Sequence, residues 1–238
     1  MPKKQFAFFW IGDDISIPKS LVQSIRHIYH EDAIIYQLSD MRTPYIEGVN
    51  KTIRKILPKE IMLARLKAYC EIKNTEPVCF LDADSLIINK FDLPSIDNFK
   101  GGLVERKDKT SIINHNYPEY YPEFIGKTLH DVMPIYFGLI VTQDKGALFQ
   151  KLLENAKNLP DRFHRWYGDQ FSIAREWREN SDKYLLLDQD KYLHIVINTL
   201  SQEDLLKAKS NDVKIITFKG KDTKKSIFPT LKNLLSLN

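Results

Sequence analysis

One stretch limits the folds open to this chain more than any other: Val78-Cys79-Phe80-Leu81-Asp82-Ala83-Asp84-Ser85-Leu86-Ile87-Ile88. A short, β-prone apolar run bounded by Pro77 meets two aspartates one residue apart, and a second apolar run comes after them. Such a run predicts a buried strand. A buried strand does not carry unpaired carboxylates in its middle without a large desolvation penalty. The sequence therefore places Asp82 and Asp84 at the strand's end, on the rim of a sheet. In open α/β sheets that rim is where ligands bind. Side chains at i and i+2 of an extended backbone point the same way. The pair reads either as loop aspartates capping the next element, or as two ligands for one hard cation such as Mg²⁺ or Mn²⁺.

Around this stretch the chain reads as strand and helix in alternation. Gln5 to Ile11 is an apolar run that suits a central strand, closed by Gly12-Asp13-Asp14. A helical pattern after Pro18 puts Leu21, Ile25 and Ile28 on one face, and Ala33 to Leu38 predicts a second strand ending at Ser39-Asp40. This is the start of a doubly wound sheet. Trp10 falls at the carboxyl end of the first strand, as a core residue or as a flat face for a nucleobase. Asp40 ends the second, as a turn residue or as an acceptor for a ribose or base edge.

Residues 58–73 predict a helix with Leu63, Leu66 and Tyr69 inward and Arg65 and Lys67 flanking them. Asn89 to Tyr121 reads as a connection. His115 and His130 have no partner at metal-ligand spacing. Pro134 to Thr142 predicts a strand with Gly138 inside it, which often marks close approach of a ligand or backbone. Lys145 to Leu159 predicts a helix, and His164 to Gln170 leads into another at Phe171, with Asp169 near its start as an N-cap candidate. Tyr184 to Asp190 reads as a return to the surface. Val213 to Phe218 is the last predicted strand, and Lys219-Gly220-Lys221-Asp222-Thr223-Lys224-Lys225 comes next. A glycine among lysines after a strand can bind phosphate, or the cluster is solvated.

Composition sets the limits. With 238 residues, 43% hydrophobic and 28% charged, the chain suits one large α/β domain or two small ones, and not a disordered segment. No apolar run is long enough to span a bilayer, and Met1-Pro2-Lys3-Lys4 does not read as a signal peptide. Cys70 and Cys79 read as packing residues of a reduced, cytoplasmic protein. A net charge of +4 allows anionic ligands or peripheral membrane contact without calling for nucleic acid.

Taken together, these segments resemble nucleotide-sugar-dependent glycosyltransferases of the GT-A fold, in particular the group of glycogenin and the bacterial lipopolysaccharide sugar transferases. The likeness runs in order from Phe6 to about Lys225. It is carried by Ala64-Arg65-Leu66-Lys67-Ala68-Tyr69, Phe80-Leu81-Asp82-Ala83-Asp84, Gly138-Leu139-Ile140-Val141, Gly168-Asp169-Gln170 and Phe218-Lys219-Gly220. Trp10-Ile11-Gly12 is similar to the first strand of related sugar transferases. The resemblance implies a Rossmann-like, mixed and mainly parallel sheet flanked by helices, in a single domain over residues 1–238; the region near 89–136 lies outside the likeness and reads as the variable acceptor side. It implies a UDP-sugar donor, a glycan or lipid-linked acceptor, and Mn²⁺ or Mg²⁺ on Asp82 and Asp84. Trp10, Ile11, Gly12, Asp40, Arg65, Ala83, Gly138, Lys219, Gly220 and Lys221 would line the donor, and Asp169 and Gln170 would face the sugar.

Three departures from the family pattern stand out, one of them the whole region 89–136, which matches no part of it. Its Asn-Ser before the strand glycine is Tyr136-Phe137, and its metal-binding histidine is Thr217. Threonine is a poor substitute for imidazole on Mn²⁺. Three other readings are open at this point: a non-catalytic sugar-nucleotide binder, a phosphatase of the haloacid dehalogenase type with Asp82 as nucleophile, and a nucleotidyltransferase. The phosphatase family carries its motif on the first strand, and a nucleotidyltransferase usually has a glycine-rich loop where Ile11-Gly12-Asp13-Asp14 stands.

Overall fold

A computed structural model of the chain describes residues 3–110, 112–113, 124–220 and 222–236. Its strands are β1 (Lys4–Phe9), β2 (Ala33–Ser39), β3 (Lys51–Arg54), β4 (Val78–Leu81), β5 (Ser85–Ile87), β6 (Gly101–Glu105), β7 (Ile135–Thr142), β8 (Tyr184–Leu187), β9 (Leu193–Val196) and β10 (Ile215–Phe218). The chain forms two compact units, each assembled from separated stretches: Met1–Ile56, Glu76–Ser95 and Asp190–Asn238 in one, Leu57–Thr75 and Ile96–Gln189 in the other.

In the first unit four parallel strands lie in the order β3-β2-β1-β4. β1 is apolar along nearly its whole length because it is central, with neighbours on both sides. It ends at Phe9, two residues earlier than the apolar run predicts. Trp10 still donates its backbone N–H to the Leu38 carbonyl, and the chain then leaves the ladder toward Gly12 at φ +136°. Register sets Phe9 beside Leu38 and Phe8 beside Leu81. β1, β2 and β4 therefore end level, and their carboxyl ends share one edge.

The helix Ser16–Tyr29 buries Leu21, Val22, Ile25 and Tyr29, a stripe at helical spacing. The Tyr29 hydroxyl donates to the Phe91 carbonyl and accepts from its N–H, which fixes the segment after β5. The smaller sheet, β5-β10-β9, pairs β10 antiparallel to β5 and parallel to β9. Leu86, Ile216, Phe218, Leu205, Ile227 and Leu231 form one apolar cluster that joins this sheet to the helices Gln202–Ser210 and Ile227–Leu235.

In the second unit β6 lies antiparallel to β7 and parallel to β8. β6 falls in the stretch read from sequence as a connection, and β8 in one read as surface. Two leading glycines hide β6 from a pattern-based reading. A side chain at Gly101 would stand 2.8 Å from the Val141 carbonyl oxygen, so packing against β7 selects the residue that strand propensity disfavours. The helix Ile61–Tyr69 is shorter than the predicted 58–73. Tyr69 stacks on Phe137 at 6.2 Å and meets Phe149 edge-on at 4.9 Å. Among the described residues no helix is long and apolar enough to cross a membrane.

Candidate functional site

At the edge where β1, β2 and β4 end, each strand hands over to a short loop. The Trp10 indole N–H donates to the Asp14 carbonyl at 2.9 Å, which fixes the ring, and Asp14 in turn accepts from the Ser16 N–H at the start of the first helix. Asp40 accepts from the Thr43 hydroxyl at 2.7 Å and from the backbone N–H groups of Thr43 and Arg42. The same Thr43 hydroxyl accepts from Gly12 N–H at 3.1 Å. One threonine thus ties the loop after β1 to the loop after β2.

The hydroxyl bond from Thr43 is the main reason that the Asp40 carboxyl lies below the usual range, with backbone N–H groups helping and burial opposing. A carboxylate whose pKa is depressed on folding adds stability above its unfolded value, and that stability is lost as pH falls through the lower folded value. Asp40→Asn is accordingly expected to lose less stability than the parent chain when urea melts are run from about pH 5 down to about pH 3.

Asp82 and Asp84 come directly after β4, and both are largely covered. Register then brings a distant segment to them. Thr217 faces Ser85 across the antiparallel β5–β10 pair, and Phe218 N–H donates to the Asp84 carbonyl at 2.9 Å. Lys219 comes next, with its backbone N–H donating to the Val196 carbonyl at 2.9 Å. The Lys219 ammonium lies 2.5 Å from Asp82 Oδ2 and 3.2 Å from Asp84 Oδ1. Gly220, at φ +97°, turns the chain in a conformation that side chains resist. The 3₁₀ turn Thr223–Ser226 then returns Lys224, whose ammonium lies 2.8 Å from Asp84 Oδ2. Lys224 was not singled out as a site residue from sequence. Its signal there was membership of the lysine cluster after the last strand. Lys221 lies outside the described residues.

Two carboxylates and two ammonium groups do not make up the donor set of a divalent cation. Both oxygens of Asp84 and one of Asp82 already face ammonium nitrogens. Thr217 is fully buried within β10. No group of three or more His, Cys, Asp or Glu suited to a metal occurs among the described residues. Mg²⁺ and Mn²⁺ favour about six oxygen ligands, and a cation placed here would meet two positive neighbours.

The second unit holds the other predicted residues. Arg65, on the helix Ile61–Tyr69, pairs with Asp169, which is 1% exposed. The guanidinium also sits over the Phe137 ring at 4.5 Å. Phe137 supplies an aromatic floor for the arginine. Asp169 is not the N-cap. Tyr167 takes that position in the left-handed region at φ +66°, and Gly168 opens the helix Gly168–Asn180. No side chain fits at Gly168, because a Cβ there would lie 2.4 Å from the Phe163 carbonyl oxygen. Gln170 Oε1 accepts from Phe137 N–H at 3.4 Å, and Gly138 is buried in β7. His130 lies 3.1 Å from Glu105, and His115 is outside the described residues. Cys70 and Cys79 are free and buried, and burial pushes both thiols up, Cys70 to about 11.

No protein-family model matches the sequence. No curated protein matches it significantly. Solved structures do. The galactosyltransferase LgtC, in complex with donor and acceptor sugar analogues, aligns with a TM-score of 0.58 at 14% identity, over 98% of this chain and 97% of its own. A glycosyltransferase involved in glycosylation of the major capsid of PBCV-1 aligns with a TM-score of 0.58 at 12% identity, over 96% and 98%. The apo-form glycosyltransferase GlyE of Streptococcus pneumoniae TIGR4 aligns at 0.56 and 14%, over 99% of this chain and 62% of its own. At these identities the likeness speaks to architecture, and on that it agrees with the resemblance read from sequence: the chain has the mixed, mainly parallel α/β fold of the GT-A glycosyltransferases.

Proposed function

We propose that this chain, as one catalytic domain over residues 1–238, is a glycosyltransferase that takes a sugar from a nucleoside diphosphate sugar, with UDP as the nucleotide. One observation carries the reading: the carboxyl edge of parallel strands in a GT-A fold presents an acidic pair bound to lysines of a late loop. In such sheets this edge is the ligand-binding edge. The fixed Trp10 ring and the Asp40 loop suit a nucleoside, and the lysines beside Asp82 and Asp84 suit its diphosphate.

In the reaction the bond between the sugar's anomeric carbon and the β-phosphate oxygen breaks, and a bond to an acceptor hydroxyl oxygen forms. Negative charge builds on the departing diphosphate, whose freed oxygen takes up the proton that the acceptor hydroxyl gives off. Lys219 and Lys224 supply preorganised positive charge to that group. Because the donor set does not fit a divalent cation, no step is assigned to one. The resemblance assigns Asp169 and Gln170 to the transferred sugar. The buried pairing of Asp169 with Arg65 suits a residue that orients a neighbour better than one that accepts a proton. The acceptor, a glycan or lipid-linked sugar, is assigned to the region near 89–136.

A phosphatase of the haloacid dehalogenase type is disfavoured, since Asp82 comes after the fourth strand of the chain and not the first. A thermal-shift screen of UDP-, GDP- and CDP-sugars tests the proposal. Ligand present at about 100 times its Kd stabilises by about 2.7 kcal/mol, enough for a clear shift. UDP-sugars are expected to raise Tm and to release UDP on incubation. No shift with any sugar-nucleotide would refute the reading, and a shift without UDP release or transfer to any acceptor would favour a non-catalytic binder.

A further inference from the structure

We propose that Lys219 and Lys224 stand in for the divalent cation, so that the chain engages the diphosphate of its donor without metal; the inference rests on the donor reading above. GT-A folds with an Asp-x-Asp pair invite a metal for a physical reason. Two carboxylates on one short segment repel each other, and a diphosphate brought beside them adds more negative charge. Some cation must compensate.

Here the chain supplies that cation from its own side chains, and the ladder register makes the placement specific. Lys219, directly after β10, contacts both acids. Lys224 meets the far oxygen of Asp84. The two lysines balance the two aspartates in number, and each retains part of its surface in solvent, about a third by side-chain exposure. Ammonium carries three donors. Lys224, which directs one at Asp84, has others to offer a phosphate oxygen. The family position that would complete a metal's ligand set is Thr217, sealed inside the smaller sheet. The pattern that weakens a metal site and the pattern that builds an ammonium site therefore occur together.

The competing requirement also differs. A divalent cation entering here would have to displace two ammonium groups from carboxylates that are mostly shielded from water. Charge-assisted bonds of this kind are about twice as strong as neutral ones, so both ammonium groups compete with any entering cation. The aspartates then act as positioning residues that aim the lysines.

Calorimetric titration of the full chain with UDP, in EDTA and separately in Mn²⁺, tests this. Affinities within about twofold of each other are expected, as is about tenfold weaker binding by Lys224→Gln in EDTA, with Lys224→Arg retaining most of it. The arginine variant separates loss of charge from loss of fold, and the melting temperature of each variant is measured alongside. A paramagnetic-resonance titration with Mn²⁺ alone is expected to find no tight site in the parent chain. Tenfold or greater tightening of UDP by Mn²⁺ would overturn the lysine proposal and leave the donor reading standing; so would unchanged UDP affinity in well-folded Lys224→Gln. UDP that binds under neither condition overturns both.

Discussion

Arg65→Ala is expected to destabilise the protein by about 3–5 kcal/mol, the range seen when one partner of a buried ion pair is removed. The arginine is mostly covered and its partner Asp169 almost completely so. Truncation leaves a carboxylate in a dry setting, with an N–H bond from Gln170 at 2.7 Å as compensation. It also strips the cation from the face of Phe137. A double-mutant cycle gives the sharper result. Arg65→Met combined with Asp169→Leu removes both charges together, and replacing a buried pair by apolar residues of similar size is often neutral or stabilising. The double variant is therefore expected to be more stable than Arg65→Ala, with a coupling of about 1–3 kcal/mol in denaturant melts. Strict additivity of the two single changes would show that the pair contributes no specific interaction.

The largest effect on turnover is expected at Asp84. Replacing it with alanine releases Lys224 and half of the hold on Lys219. Misplacing preorganised charge at a leaving group typically lowers kcat about 10²–10³-fold. UDP release from the best UDP-sugar should fall by that factor in Asp84→Ala; because the side chain is covered and paired with two lysines, Tm is measured alongside and the rate is read at a temperature where the variant is folded. Turnover at the parent rate would remove the acidic pair from the mechanism.

Some of this was legible in the sequence for identifiable reasons. β4 and its two aspartates are readable because an apolar run that stops at charges can only stop at a surface. The late strand and its lysines are readable by the same logic. Their meeting with Asp82 and Asp84 is not, because antiparallel register between β5 and β10 is a long-range property that no local pattern encodes. The pairing of Arg65 with Asp169 is hidden in the same way: each residue alone looks like an ordinary helix residue, and the pair meets only in the fold, with Phe137 beneath the guanidinium and Gln170 N–H on the carboxylate. β3 and β6 escaped detection for opposite causes. The first is a short edge strand with charged ends, and the second opens on glycines chosen for close packing.

The ladder that seats Lys219 depends on backbone pairing and not on what the intervening chain contains. Changes of side chain along it can therefore accumulate without disturbing the pairing. Loss of a single residue inside Ile215–Phe218 cannot, because side chains alternate faces along a strand and the lysine would swing to the opposite side. The length of β10 is thus a tighter constraint on this site than the identity of its side chains.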